Sequence, residues 1–248
     1  ATKGGAKDSC TNDAQGGIAG ALHPDDSPED HFADTVEAGC GLCDERMVRI
    51  LTNEAPERIQ ELMRLGVEFD RDNGDLSFTR EGGHRRPRIL HANGDATGAA
   101  IEEVLANHCR NHEQIALYSE TFVLDLLTHE GVCHGALIWN PDRGLMMIRA
   151  KQTILATGGC GRLYRETTNP AVATGDGLAM ALRAGAELQD LEFVQFHPTA
   201  LYIAGASRAL ISESLRGEGA VLRNRSGDRF MPRYHPDAEL APRDTVSR

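Results

Sequence analysis

Residues able to do acid–base chemistry beside a redox group gather toward the end of the chain. Leu191-Glu192-Phe193-Val194-Gln195-Phe196-His197-Pro198-Thr199-Ala200 is followed by Ser212-Glu213-Ser214-Leu215-Arg216-Gly217-Glu218-Gly219 and then by Ala241-Pro242-Arg243-Asp244. His197, Ser212, Glu213, Arg216 and Arg243 bring an imidazole, a hydroxyl, a carboxylate and two guanidiniums onto loops rich in Gly and Pro. Arg grips planar carboxylates bidentately, and a hydroxyl and an imidazole complete the hydrogen bonding. The set suits a site that holds a small dicarboxylate against an electron acceptor. Any one of these residues alone reads as a surface side chain, so the joint pattern carries the argument.

The elements that must position them follow from periodicity and punctuation. Ser27 before Pro28 predicts a helix start. Residues 44–65 carry helical periodicity with Met47, Ile50 and Leu51 on one face, and Pro56 divides them into two helices. Ile59, Leu62 and Met63 face inward on the second, Gly66 ends it, and Val67-Glu68-Phe69 is a short strand. Residues 73–96 form a long polar segment containing Thr79-Arg80-Glu81-Gly82-Gly83-His84, and loops of that length tend to be functional. A helix is expected at about 97–111, with Ile101, Val104, Leu105 and His108 along one face. Strands follow at 115–118, 121–128, 132–140 and 146–150, with a turn at Pro141-Asp142-Arg143-Gly144, and another at 152–156. Gly175–Ala186 is a further helix, with Leu178, Ala181, Leu182 and Gly185 on its buried face.

Composition narrows the classes. The 248 residues suffice for one large domain or two smaller ones. Hydrophobic residues at 40% and charged residues at 25% are those of a globular protein. A formal net charge of -11 argues against a nucleic-acid binder, and no apolar run is long enough to span a bilayer. Cys10, Cys40, Cys43, Cys109, Cys133 and Cys160 have no disulfide-scaffold rhythm, so a reduced, cytoplasmic setting is expected. Cys40-Gly41-Leu42-Cys43 is a lone CxxC without the second pair that a metal site needs. No metal is expected.

The glycine-rich turns point to a nucleotide. Ile154-Leu155-Ala156-Thr157-Gly158-Gly159 reads as a strand ending in small residues, the way an α/β sheet leaves room at its carboxyl edge. Gly175-Asp176-Gly177 opens a helix with an acceptor for a ribose or ribityl hydroxyl, or with a plain N-cap. Ala14-Gln15-Gly16-Gly17-Ile18-Ala19 puts two glycines where the backbone approaches something closely. The dinucleotide fingerprint G-x-G-x-x-G is absent. Both ends look cut: the chain begins at Ala1 without Met and stops at Arg248 in a helix start. The first βαβ unit is therefore expected to precede Ala1, and weak retention of a dinucleotide by this stretch follows.

In this order the residues resemble the L-aspartate oxidase branch of the succinate dehydrogenase/fumarate reductase flavoprotein family. The resemblance covers essentially the whole chain. It includes Thr2-Lys3-Gly4, Leu42-Cys43-Asp44, Ile89-Leu90-His91-Ala92, Asp95-Ala96-Thr97-Gly98 and Thr168-Asn169-Pro170 beside the segments above. It implies an α/β fold: a Rossmann-like FAD-binding domain over residues 1–190 that lacks its first βαβ unit, and the start of an α+β capping domain over residues 191–248. Lys3, Cys10, Thr11, Ala14, Gln15, Gly16, Gly17, Val123, Thr157, Gly158 and Asp176 match FAD-contacting positions. Cys10 stands near where the membrane-complex relatives carry a flavin-linked His, so noncovalent FAD is implied.

The resemblance also implies roles. Glu81 matches the residue facing the substrate amino group; read by itself it is a solvated loop carboxylate. His197 and Ser212 resemble carboxylate ligands, Ser212 standing where Thr is usual. Arg243 resembles the proton donor or acceptor at the substrate carbon, with Glu213 and Arg216 as its relay. The implied reaction is FAD-dependent oxidation of L-aspartate to iminoaspartate, with O2 (giving H2O2) or fumarate taking the electrons. This is the opening step of de novo NAD synthesis, with a quinolinate synthase as metabolic partner. The alternatives are a soluble fumarate reductase or succinate-oxidising flavoprotein and, in another class, a non-catalytic fragment.

Overall fold

A computed structural model describes residues 1–5, 7–203 and 209–248. Its helices are α1 (Pro28–Ala38), α2 (Glu45–Leu65), α3 (Thr97–Asn111), α4 (Asp176–Arg183), α5 (Ser214–Gly217) and α6 (Arg243–Ser247). Its strands are β1 (Ile18–Ala19), β2 (Arg71–Asp72), β3 (Asp75–Leu76), β4 (Ile89–Leu90), β5 (Phe122–His129), β6 (Val132–Asn140), β7 (Gly144–Arg149), β8 (Ala200–Leu201) and β9 (Ala209–Leu210). The chain divides into two compact units: residues 1–13 with 105–194, and residues 14–104 with 195–248.

In the first unit β5, β6 and β7 form an antiparallel sheet in that order. Phe122 pairs with Trp139, Ile138 with Met146 and Asn140 with Gly144, and residues 141–143 make the expected turn. Gly144 closes it at φ 71°, a conformation that favours glycine. Buried Asn140 steadies the end of β6 by donating to Thr121 Oγ1 at 2.9 Å. Helix α4 is tied to β5 through Arg183 Nε and Asp125 Oδ2, 3.0 Å apart. Two expected strands are not in ladders. Residues 115–118 take a bond from the Thr2 amide to the Tyr118 carbonyl, at 2.8 Å, and one from the Ile115 amide to the His112 carbonyl, at 3.0 Å, but form no ladder among the described residues. Residues 152–156 are exposed, Ile154 at 89%, and pair with no strand among the described residues. Their β-branched, apolar composition predicts a strand, but a strand needs a neighbour.

In the second unit Ser27 caps α1 by accepting from the Asp30 amide at 3.1 Å, with Pro28 in the first turn. Asp44 caps α2, and left-handed Gly66 closes it at φ 110°. The helix runs unbroken through Pro56, against the expected division. An interior Pro costs about 3 kcal/mol; burial of Val48 and Thr52 before it and Ile59 after it keeps both halves on one axis. That buried face is not the expected one, since Met47, Ile50 and Leu51 are exposed. The core gathers Ile59, Val67, Phe69, Leu90 and Ala92, with Ile18, Ile101 and Val104 packed on it. Val67 and Phe69 contribute as extended chain rather than as a strand, while Leu105 and His108 of α3 face outward. On α4, likewise, Gly177 and Met180 are the buried residues and Leu182 is exposed.

Strands β1 and β4 pair antiparallel, Ile18 opposite Leu90. A Cβ on Gly17 would lie 2.4 Å from both Ile89 Cγ2 and the Leu90 carbonyl oxygen, so only glycine admits this approach. Below it lies a charged core. Arg88 is 0% exposed and donates Nε and Nη2 to Asp26, both at 2.8 Å, and Nη1 to Asp34 at 2.7 Å. His31 is buried beside it, and burial followed by the Arg88 charge pushes its pKa down to about 4.

Two outcomes follow from this network. Arg88→Met leaves two carboxylates buried without their cation and lowers unfolding free energy by about 3–5 kcal/mol in urea titrations; a loss below about 1 kcal/mol contradicts the account. His31 is neutral in the fold and titrates near 6.5 when unfolded. Its stabilisation is complete above about 6.5 and is lost as pH falls toward about 4. The urea midpoint of the wild type therefore drops across that window, and His31→Gln flattens the drop.

Candidate functional site

The cluster read from the end of the chain assembles within the second unit. Pro242, extended at φ -51° and ψ 147°, starts α6 so that Arg243 occupies its first turn. Arg243 Nε donates to Glu213 Oε2, and Nη1 to Gln195 Oε1 at 3.1 Å. Ser247 Oγ donates to the Phe196 carbonyl at 2.9 Å, fastening α6 to the His197 segment. Glu213 stands just before α5, so Arg216 falls three residues on along one face. Arg216 Nη2 lies 3.6 Å from Glu213 Oε1. Both residues are buried, at 5% and 4% exposure.

Four residues without an assigned role, Gln195 among them, complete this arrangement. Arg216 Nη1 donates to the Glu239 carbonyl at 2.7 Å. The Glu239 carboxylate in turn takes Arg229 Nη2 at 2.5 Å, and that partner first, against burial, holds it down to about 2. Gly82 lies against the cluster: a Cβ there would meet Glu213 Oε1 at 2.8 Å and the Leu240 carbonyl oxygen at 2.9 Å. Gln195 and Gly82 were legible as a polar and a small residue inside the motifs, while Glu239 and Arg229 lie outside every motif, and nothing in their spacing singled them out.

Glu81 is placed by the turn through Gly82 and Gly83 rather than left in solvent, its side chain only 11% exposed. It accepts from Ser214 Oγ at 3.1 Å and lies 3.5 Å from His91 Nε2. Burial acts to raise its pKa, yet the bonds from His91 and Ser214 and the Arg243 charge outweigh it and hold the carboxyl below its ordinary value. Ser212 Oγ donates to Ser214 Oγ at 3.0 Å, so the two hydroxyls form a short chain ending on Glu81. His197 turns Nδ1 to the Thr199 backbone, 3.0 Å from its carbonyl oxygen and 3.2 Å from its amide, and leaves Nε2 buried without a hydrogen-bond partner among the described residues. Burial, then the Arg243 charge, keeps this ring below its usual pKa and so neutral. A neutral imidazole has one protonated and one bare nitrogen, so the buried Nε2 offers a ligand one hydrogen-bonding position. Nε and Nη2 of Arg216 are likewise buried without a hydrogen bond of normal geometry.

The residues matched to FAD fall on both units. In the first, Lys3 Nζ donates to Asp176 Oδ2 at 2.5 Å and to Thr174 Oγ1, and stands 5.7 Å from the Phe122 ring centre, next to half-buried Val123. Burial opposes ionisation of Asp176, but the Lys3 and Thr174 bonds prevail and lower its pKa. Thr157 packs so tightly on the first turn of α4 that a Cβ on Gly177 would lie 1.8 Å from its Oγ1. Gly158 adopts φ 68° with open space beyond it. Exposed Cys10 donates to Asn169 Oδ1 at 3.4 Å, and Thr11 is exposed beside it. In the second unit the Ala14 carbonyl accepts from the Gly98 amide at 3.0 Å. Gln15 Oε1 is buried without a partner, and a Cβ on Gly16 would meet nothing within 4 Å. Within the first unit an ion pair at a helix start and open space beyond Gly158, and within the second an unpaired acceptor beside Gly16, are each suited to ribose, ribityl or phosphate functions. The donor set therefore fits FAD. Among the described residues no cluster of His, Cys, Asp or Glu could hold a metal ion, and no helix is long and apolar enough to cross a membrane.

Comparison with known proteins agrees with this chemistry. The chain is 46% identical to the L-aspartate oxidase of Synechocystis, covering 100% of this chain and 45% of that protein. It is 45% identical to the L-aspartate oxidase of Vibrio cholerae, covering 48% of it. The chain thus spans about half the length of these relatives. Among solved structures it matches an E. coli quinol fumarate reductase FrdA mutant with a TM-score of 0.92 at 37% identity, covering 99% of this chain and 44% of that one. The family described as FAD binding domain matches residues 1–248. Matched along its whole length, the chain belongs to the FAD binding domain family.

Proposed function

We propose that this chain carries the substrate-binding and flavin-contacting residues of an L-aspartate oxidase. The observation that carries the reading is Glu81: a carboxylate only 11% exposed and held below its ordinary pKa, in the same cluster as Arg243, Arg216 and His197. A dicarboxylate needs cations and neutral hydrogen-bonding groups, for which Arg243, Arg216, Ser212 and His197 stand together. A carboxylate among them is repulsive unless the ligand also brings a cation, and the ammonium of an amino diacid does so. The identity to the L-aspartate oxidases supports this choice. The likeness to fumarate reductase flavoproteins supports the alternative, a soluble fumarate-reducing or succinate-oxidising enzyme. Glu81 weighs against that alternative.

The chain's own residues divide the work. Glu81 receives the substrate ammonium and sets the orientation of Cα. His197 and Ser212 hold a carboxylate. Arg243 gives or takes a proton at the carbon beside Cα, so that loss of this proton and of the Cα hydride leaves the enamine tautomer of iminoaspartate. Because Arg stays protonated in water, it needs the Glu213 Oε2 and Arg216 relay that touches it. Bound FAD supplies the two-electron acceptor for the hydride leaving Cα. O2, giving H2O2, or fumarate then takes the electrons, and the product iminoaspartate feeds a quinolinate synthase in de novo NAD synthesis. Residues 191–248 begin a capping domain, and residues 1–190 belong to the FAD domain. A cytoplasmic setting is consistent with six free thiols.

Glu81→Gln is expected to lower kcat/KM for L-aspartate roughly a hundredfold, equivalent to about 3 kcal/mol of charge-assisted bonding, while fumarate reduction persists. Aspartate turnover within about twofold of wild type would sink the role given to Glu81. Gly82→Ala is expected to displace Glu213 and cut kcat by up to about a hundredfold at unchanged flavin content. An unaltered kcat contradicts the relay.

A further inference from the structure

We propose that His91 is a positioning residue for Glu81: its imidazolium balances the carboxylate when the site is empty, and it yields that carboxylate, and its own proton, when a ligand ammonium arrives. The inference rests on the reading that Glu81 receives an ammonium, and it adds the group that sets the charge Glu81 presents.

The geometry points to this role. His91 is buried, and β4 with its continuation fixes its ring against the Glu81 turn. Nε2 lies 3.0 Å from Thr79 Oγ1 and 3.5 Å from Glu81 Oε1, one ring atom facing both. Glu81 Oε1 is also the atom that accepts from Ser214 Oγ, so its hydrogen-bonding capacity is shared before any ligand comes. The other groups facing the ring are Asp70, whose carboxylate already takes the Asn93 and Gly94 amides at 2.8 and 2.9 Å, and the Gly94 backbone. Arg243 faces Glu81 from α6, and Glu81 in turn acts on His84.

Four histidines of this unit lie in the two charged clusters. His31, His84 and His197 are each pushed below their ordinary value, first by burial and then by a neighbouring Arg. His91 moves the other way, raised first by its hydrogen bond to Glu81 and further by the Glu81 and Asp70 charges, against burial. It is the one of these four suited to carrying charge near neutral pH. A second cation brought to Glu81 competes with the imidazolium, because two cations facing one carboxylate repel each other. By linkage, the ligand then lowers the affinity of His91 for its proton, and deprotonating His91 raises the affinity for the ligand. Succinate has no ammonium and gains nothing from this exchange.

The test uses the FAD-loaded protein with L-aspartate and succinate as probes. For the wild type, L-aspartate binding is expected to tighten as pH rises through the His91 titration, by roughly tenfold for each unit by which the ligand displaces the His91 pKa. Succinate is expected to show no such tightening. His91→Gln keeps a donor at the Nε2 position without a titratable proton, and it is expected to reduce the rise to less than about twofold. A His91→Gln protein that keeps the wild-type rise overturns the inference. If that variant does not fold, 15N NMR of the unmutated protein decides. The His91 pKa must fall on adding L-aspartate and stay put on adding succinate, and an equal response to both overturns the proposal. Loss of aspartate binding in Glu81→Gln alongside either overturning result refutes His91 alone. Unchanged binding in Glu81→Gln refutes the underlying reading of Glu81.

Discussion

Glu213 is a carboxylate taken out of water, and the arrangement of its unit follows from keeping it paired. Arg243 reaches one oxygen from the first turn of α6, and Arg216 approaches the other from α5. Each cation is held in turn: Arg243 by Gln195, and Arg216 by the carbonyl of a residue whose own carboxylate is neutralised by Arg229. Removing one partner of such a pair leaves a buried charge uncompensated, which costs more than the pair contributes. Three stretches far apart in the chain are therefore fixed to one another by a single carboxylate. Gly82 is the steric counterpart, a position where the Glu81 turn passes too close for any side chain.

The same logic operates twice in this unit. Arg88 donates to both Asp26 and Asp34 and lies 3.3 Å from His84 Nδ1, a network that holds the fold. In the Glu213 cluster His197 Nε2 and two Arg216 nitrogens are buried without hydrogen-bond partners among the described residues, and beside Arg88 the same holds for His31 Nδ1. Unspent polar capacity in a buried place costs stability.

Much of this was legible in the sequence where local chemistry decides. The cap at Ser27, the Gly66 stop and the turn at residues 141–143 rest on short-range rules, and the grouping of His197, Glu213, Arg216 and Arg243 on the joint pattern of their motifs. What escaped depends on neighbours that sequence spacing does not reveal. Pro56 reads as a break, but packing on both sides carries α2 through it. Met47, Ile50 and Leu51 read as a buried stripe, whereas Val48 and Thr52 take that place; Ile59, expected to face inward, is buried. Residues 152–156 have strand composition without a partner strand among the described residues. At the site, Glu81 read by itself is a solvated loop residue; its burial comes from Ser214 and His91, which lie 133 and 10 positions away in the chain.

The central claim is that this cluster selects an amino diacid over a plain diacid. Anaerobic mixing of the FAD-loaded protein with L-aspartate, followed by flavin absorbance with succinate in a parallel cell, tests it most directly. The account predicts bleaching by L-aspartate and none by succinate at equal concentration. Bleaching by succinate, or by neither compound, would contradict it.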